Sequence, residues 1–118
     1  MKVAIERVYD FVKRPKRPGE VAILVDRLWP RGVRKEALEI DAWLKDVAPS
    51  TELRKWFHHE ERSWTEFQQR YLAELQANPE PLKELRDFAH EALEVTLLFA
   101  ARETEQNHAM VLRDLLLR

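Results

Sequence analysis

The segment from Val21 to Gly32, which reads VAILVDRLWPRG, constrains the fold of this chain more than any other. Its first five residues, ending at Val25, form an unbroken apolar run rich in β-branched side chains, which is typical of a strand buried on both faces of a sheet. Charged residues, an indole and a proline follow immediately, as expected where a strand ends and a loop begins. Ligands of open α/β sheets bind beyond such strand ends, so we expect a site at this junction.

A second run of this kind, Leu93 to Ala101, predicts another buried strand near the end of the chain. Alternating apolar residues predict a shorter strand over Val3 to Tyr9. The segment Ala37 to Val47 fits either a helical turn or a strand, and we favour a short strand around Ile40 to Leu44. Helices are predicted over Thr51 to His58, from the Ser63 cap to Asn78, from Glu80 to near Glu91 and, after a Thr104 cap, over Glu105 to Leu117. Strands that flank a block of helices predict an α/β fold, with residues 1–118 as a single domain whose small sheet of buried strands is flanked by helices.

The link between the first two predicted strands is the segment Lys13 to Glu20, KRPKRPGE. Two prolines and a glycine predict an exposed basic loop there. Only about ten residues separate the strands, which leaves little room for the helical crossover that joins parallel neighbours. The two strands are therefore expected to be antiparallel, or not adjacent.

The composition excludes several kinds of chemistry. The 118 residues include no cysteine, which excludes thiolate nucleophiles, disulfides and cysteine-held metal centres. Two glycines are too few for a glycine-rich phosphate loop, and no motif of that type is present. The HHEE run, His58 to Glu61, lacks the spacing of a metal site, so neither a metal nor another cofactor is expected.

The net charge of −1 is close to neutral but unevenly distributed along the chain. Residues 1–35 carry ten basic and four acidic side chains, which suggests an anionic partner for that part, although a solvated charged surface better explains most of these residues. The first ten residues lack a signal-peptide hydrophobic segment, and no apolar stretch approaches the roughly 18 residues of a membrane helix. We therefore expect a cytoplasmic protein without a membrane partner.

Polar residues follow both buried strands and form the candidate site. They are Asp26, Arg27, Trp29 and Arg31 after the first strand, and Arg102, Glu103, Asn107 and His108 after the second. If the two strands are parallel neighbours, these groups converge in one crevice. Asp26 and His108 are the candidates for acid–base catalysis. The other six are candidate ligand contacts, with the arginines binding a phosphate or carboxylate.

Each candidate also has a structural interpretation. Asp26 and Arg27 could instead satisfy a partly buried strand end, and we weigh this equally with a functional role. Trp29, with Pro30, fits a packing wedge that fixes the turn better than a ligand platform. His108, predicted about one turn into the last helix, occupies a half-apolar face on which histidine is more often structural.

Three segments, VDRLWPRGV, WLKDVAPSTELRKWFHH and TLLFAARETEQNHAMVLRDLL, closely resemble the YeaO-like bacterial branch of the domain-of-unknown-function family 488. The resemblance covers nearly the whole chain and implies a remotely rhodanese-like α/β fold without an established reaction. Other branches look as if they carry a cysteine and a histidine near the last helix. This chain reads Asn107-His108 there, and Ala100-Ala101 at the strand end, so the resemblance does not imply sulfur transfer or cysteine-phosphatase chemistry.

The leading hypothesis is a crevice that binds an anionic small molecule, with hydrolytic or transfer chemistry by Asp26 and His108 as a further option. The alternative is a noncatalytic module that contacts a protein or nucleic acid through the basic loop and exposed aromatics such as Trp56 or Trp64. It predicts an exposed apolar patch and no polar pocket. Nucleic acid is the less favoured partner, because the loop lacks aromatic interleaving and a recognition helix.

Overall fold

A parallel β-sheet forms the centre of the protein. The structure, a computed structural model, describes residues 1–58, 63–90 and 92–118. Within these residues the sheet has four strands, β1 (Lys2–Arg7), β2 (Glu20–Leu24), β3 (Ala42–Trp43) and β4 (Glu94–Phe99), in the order β1-β4-β2-β3. The helices are α1 (Val8–Phe11), α2 (Thr51–His58), α3 (Trp64–Ala77), α4 (Glu80–Ala89) and α5 (His108–Leu117), with short 3-10 turns at Lys35–Ala37 and Lys45–Val47. The predicted α/β class is confirmed.

Strand β4 lies between β1 and β2, and all three run in the same direction. Val95 of β4 is opposite Val3 of β1 on one side and Val21 of β2 on the other. Of the two alternatives for the first two strands, nonadjacency is therefore the correct one. The chain returns to the start of the sheet through α1 and the basic loop, and skips the position that β4 later fills.

Both faces of the sheet are covered, which explains the two continuous apolar runs. On one face, Ile23, Leu97 and Phe99 belong to a large core that includes residues of α2, α3, α4 and α5. On the other face, Leu24 and Leu98 pack with residues of α1 and of the loop that follows β2. The ends of β2 and β4 are thus held between two apolar layers.

Helix caps predicted from the sequence are present at two helices. Ser50 Oγ accepts a hydrogen bond from Leu53 N at 3.1 Å at the start of α2, and Ser63 Oγ accepts one from Glu66 N at 3.2 Å at the start of α3. The observed bounds of α2 are the predicted ones. Helix α4 ends at Ala89.

Two predicted features fall beyond the described parts of the chain. The predicted end of α4 near Glu91 lies outside the described residues, and so do residues 59–61 of the HHEE run. Only His58 of that run is described, as the last residue of α2.

The start of the last helix differs from its prediction. Helix α5 begins at His108 and not at Glu105, because Asn107 and not Thr104 is its cap. The side-chain oxygen of Asn107 accepts a hydrogen bond from the first turn of the helix. His108 is therefore the first residue of α5 and does not lie one turn inside it.

Two strands are shorter than predicted. β1 ends at Arg7 because the chain turns into α1 at Val8, and β3 is limited to Ala42 and Trp43, which pair with the end of β2. Both lie at the edges of the sheet, where only one neighbouring strand supports them.

The predicted basic loop is present, but most of its cations are paired within the protein. A cluster that we call the Glu20 network consists of Glu6, Arg14, Arg17, Glu20, Glu94 and Thr96. At its centre the buried carboxylate of Glu20 lies 2.7 Å from Nη2 of Arg14. Lys16 lies outside the network, and its Nζ is 2.6 Å from the carboxylate of Asp41. The loop therefore presents little unpaired positive charge.

The two tryptophans expected to be exposed are partly buried. Trp56 of α2 and Trp64 of α3 pack against the main core, because both lie on helix faces that turn toward it. Trp56 also contacts the guanidinium of Arg70, whose Cζ lies 4.3 Å from the ring centre. Across the described residues, no helix has the length and apolar character needed to cross a membrane.

Candidate functional site

The two strand ends that carry the predicted site residues are neighbours. β2 and β4 pair in parallel, and Val25 N, just beyond β2, donates a hydrogen bond to Leu98 O at 3.1 Å. Asp26 joins the ends directly, because its Oδ2 accepts a hydrogen bond from Ala100 N at 2.9 Å. The condition on which the predicted crevice depends, two parallel neighbouring strands, is therefore met.

A cavity of about 390 Å³, which we call the strand-end pocket, opens beyond these strand ends. Its volume lies in the range of small-molecule sites. The loop after β2, helix α2 and the connection from β4 to α5 form most of its walls. Its described lining consists of Tyr9, Asp26, Arg27, Leu28, Trp29, Pro30, Arg31, Ala48, Pro49, Thr51, Arg54, Phe57, His58, Phe67, Ala100, Ala101, Glu103, Gln106, Asn107 and His108.

Most of the predicted site residues line this pocket. They are Asp26, Arg27, Trp29, Arg31, Glu103, Asn107 and His108. Arg102, the remaining one, is exposed and does not belong to the described lining. The structure thus locates these residues, and their roles in binding or catalysis stay predictions.

Asp26 and His108, the predicted acid–base pair, are in contact. Nε2 of His108 lies 3.0 Å from Oδ1 of Asp26 and 3.2 Å from the carbonyl oxygen of Val25. One ring N–H cannot serve both acceptors well, and Oδ1 is buried without a well-aligned hydrogen bond among the described residues. Because Oδ2 is already bound to Ala100 N, Asp26 holds together both strand ends and the first residue of α5.

Arg27 is a partly buried cation that has no carboxylate partner among the described residues. Its Nη2 donates a hydrogen bond to Ala48 O at 3.1 Å, and Pro49 O lies 3.5 Å away. Its Nε is buried and has no hydrogen-bond partner among the residues that the structure describes. The carbonyl groups position the guanidinium, which forms no ion pair with a described carboxylate. It also lines a second cavity, beside the acidic residues Asp46, Glu80, Glu84 and Asp87.

Two further arginines lie at the edge of the pocket, Arg31 from the loop after β2 and Arg54 from α2. Both are exposed, and neither pairs with a carboxylate within residues 1–58, 63–90 and 92–118. Arg54 is not among the site residues predicted from the sequence. Helical spacing could have found it, because Arg54, Phe57 and His58 lie three and four residues apart on α2 and all line the pocket.

Aromatic rings form much of the remaining wall. Phe57 and the buried Phe67 stack with ring centres 4.4 Å apart and planes at 28°. Nε1 of Trp29 donates a hydrogen bond to Val33 O at 2.7 Å, and the ring centres of Trp29 and Trp43 lie 5.5 Å apart in an edge-to-face arrangement. These contacts fit the packing-wedge interpretation of Trp29, and they fix its ring as part of the wall.

Several backbone N–H groups beside the pocket already donate hydrogen bonds to side chains of the protein. The carboxylate of Glu103 accepts hydrogen bonds from Glu105 N at 2.8 Å and Gln106 N at 3.4 Å, which lower the pKa of Glu103 below its ordinary value. The resulting turn explains why α5 does not begin at Glu105. Asn107 Oδ1 takes the N–H of Met110 at 3.0 Å in the same way. An anion that reached this connection would find these donors in use.

His58 places another imidazole in the pocket, at the end of α2. Desolvation lowers the pKa of His58 below its ordinary value, and the positive charges of Arg54 and of protonated His108 lower it further. A further positive charge is therefore unfavourable here, as expected for a pocket that already holds unpaired arginines.

Fold and pocket together define a class of protein: a small α/β domain with a ligand-sized cavity at the carboxyl ends of its parallel strands and no cysteine to act as a nucleophile. Residues 2–118 match the family described as the inactive DUF488-N3 subclade, and the chain belongs to that family. The resemblance noted in the sequence is thereby confirmed.

The relatives of this chain match it over nearly their whole length. It is 46% identical over 114 residues to the uncharacterized protein YeaO of Escherichia coli (strain K12). This match covers 97% of this chain and 96% of YeaO. It is 41% identical over 115 residues to the uncharacterized proteins Mb3100c of Mycobacterium bovis and Rv3073c of Mycobacterium tuberculosis, with 98% of this chain and 93% of each covered. No solved structure matches the chain. The rhodanese-like part of the fold expectation therefore stays a prediction.

Proposed function

We propose that this protein binds an anionic small molecule in the strand-end pocket. The observation that carries the proposal is the set of lining arginines, Arg27, Arg31 and Arg54, none of which pairs with a carboxylate in the described parts of the chain. An arginine side chain without an ion-pair partner can bind the oxygen atoms of an anion through charge-assisted hydrogen bonds. The volume and the largely apolar lining also suit a small molecule.

Binding without catalysis suits this family better than turnover. Its members are described as an inactive subclade, and the chain has no thiol. Asp26 and His108 contact the strand ends that they hold together, so we propose that they position the pocket. Hydrolytic or transfer chemistry by the same pair stays a prediction, and recovery of a bound ligand unaltered after long incubation would argue against it.

The alternative, an interaction module built on the basic loop, has less support. Arg14, Lys16 and Arg17 of that loop are all paired with carboxylates of the protein. Trp56 and Trp64, the aromatics that such a module would present, are partly buried against the core. That alternative also predicted that there would be no polar pocket, whereas charged side chains line the cavity at the strand ends.

A thermal-shift and calorimetric screen of simple anions tests the proposal. The panel contains carboxylates, inorganic phosphate, sulfate and sugar phosphates. We expect at least one of them to raise Tm, because a ligand at one hundred times its Kd adds about 2.7 kcal/mol of stability. The absence of any anion-induced shift would overturn the proposal.

Two arginine variants separate specific binding from general attraction between charges. Arg54→Ala removes an exposed cation of the pocket, and we expect it to weaken binding about tenfold. Arg86→Ala is the matched control, because Arg86 is an exposed arginine of α4 outside the described lining. Equal loss in both variants would show that the anion does not bind in the pocket.

A further inference from the structure

The charges, donors and walls of the strand-end pocket narrow the class of anion that it would accept. We infer that the ligand is a monocarboxylate carried on a flat apolar body, such as an aromatic acid, and not a compact phosphate. The inference rests on the proposed function, since it requires that the pocket binds an anion at all. Three independent features of the pocket support it.

The first feature is the state of the backbone donors around the pocket. Compact phosphates are commonly bound by several backbone N–H groups at a helix start or a strand-to-helix loop. Here Glu103 takes the N–H groups of Glu105 and Gln106, and Asp26 takes that of Ala100. These three N–H groups are not available to an anion, and the arginine side chains that line the pocket suit a planar carboxylate.

The second feature is the charge of the lining. Among the described lining residues, the arginines Arg27, Arg31 and Arg54 face two carboxylates, Asp26 and Glu103. Counted over these arginines and carboxylates alone, the lining has a single net positive charge. One negative charge balances it, whereas the dianion of a phosphate monoester would leave an excess negative charge beside Asp26.

The third feature is the size and apolar character of the cavity. Its volume of about 390 Å³ corresponds to roughly a dozen water molecules at about 30 Å³ each. An isolated oxyanion would leave most of this space as water against the Phe57 ring and the side chains of Leu28 and Pro49. A flat apolar body attached to the anion removes that water from apolar surface, which is favourable.

Matched ligands test each feature separately on the full chain. We would titrate the protein by calorimetry with indole-3-acetate, its neutral amide indole-3-acetamide, and acetate, which lacks the ring. We expect indole-3-acetate to bind at least about tenfold more tightly than either of the others, because only it supplies both the charge and the apolar body. Equal affinity for indole-3-acetate and acetate would overturn the inference.

A second pair of ligands separates this inference from the proposed function. Benzoate and phenyl phosphate share one ring and differ in the anion, and we expect benzoate to bind more tightly. Tighter binding of phenyl phosphate or of inorganic phosphate would refute the inference and leave the proposed function standing. If no anion binds, the proposed function itself fails.

A variant of the apolar wall completes the test. Leu28 lines the pocket and is 64% exposed, so Leu28→Ser is expected to fold normally. We expect it to weaken binding of indole-3-acetate about threefold and to leave acetate unaffected. Leu93→Ser, at an exposed leucine outside the described lining, is the matched control. An equal effect of both variants on indole-3-acetate would contradict the role assigned to this wall.

Discussion

The Glu20 network and the strand-end pocket both place arginine and carboxylate side chains around the same sheet. These side chains are paired differently in the two regions. In the network every arginine meets a carboxylate, as Arg14 does at Glu6 and Glu20. In the pocket, arginines and carboxylates line one cavity, and no ion pair forms between them within the described residues. A charge with an internal partner stabilises the fold, whereas a charge without one is open to a ligand.

The surroundings of Glu20 show how complete the internal pairing is. Besides its bonds with Arg14, its carboxylate accepts hydrogen bonds from Arg17 N at 2.9 Å and from Thr96 Oγ1 at 2.5 Å. The hydrogen bonds from Arg14 above all lower the pKa of Glu20 to about 2, although burial acts in the opposite direction. The carboxylate is therefore ionised and fully partnered in the folded protein.

The largest effect that we expect comes from breaking this network. Glu20→Gln keeps the shape of the side chain but leaves Arg14 with one carboxylate fewer, and it should lower the free energy of unfolding by about 3 kcal/mol. Urea unfolding at pH 7 measures the loss. The control is Glu66→Gln, which removes an exposed pair with Arg70 and should cost less than about 0.5 kcal/mol. Similar small losses in both variants would remove the contrast between the network and an ordinary surface pair.

The pH dependence of the free energy of unfolding provides a second test of the Glu20→Gln variant. The pKa of Glu20 is about 2 in the folded protein against an ordinary value of 4.5. Because the folded pKa is the lower one, this contribution is present above pH 4.5 and is lost as the pH falls toward 2, in total about 3 kcal/mol. In Glu20→Gln this part of the acid-induced loss should be absent. Parallel acid profiles for the two proteins would show that Glu20 is not the group responsible.

Asp26 sharpens the comparison, because it is a pocket carboxylate that does have internal partners. Asp26→Ala removes the acceptor of Ala100 N and the neighbour of His108, and we expect a loss of about 1–2 kcal/mol. Asp26→Asn keeps an oxygen acceptor for Ala100 N, so it should cost less. Urea unfolding of the two variants at pH 7 makes the comparison. An unchanged stability of Asp26→Ala would mean that the side chain is not needed to join the strand ends.

For both regions, the sequence predicted where the strands lie better than it predicted which side chains come into contact. The buried runs that form β2 and β4 were located within two residues at each end, because burial on both faces requires continuous apolar side chains. The ion pairs of Arg14 were not foreseen, since they depend on the path by which α1 and the loop cross the sheet. Arg54 was missed for the same reason: only the packing of α2 brings it to the strand ends.

The smallest effect that we expect couples His58 to the ligand. Burial and the positive charges of Arg54 and protonated His108 lower the pKa of His58 in the free protein. A bound anion offsets those charges and raises this pKa, so by linkage the affinity for the anion increases as the pH falls through it, by about two- to threefold. NMR titration with and without indole-3-acetate measures both changes, with His90, which lies outside the described lining, as the internal reference. If the His58 signal titrates identically in both samples, the ligand binds away from these charges, and the contrast between paired and unpaired arginines does not explain where it binds.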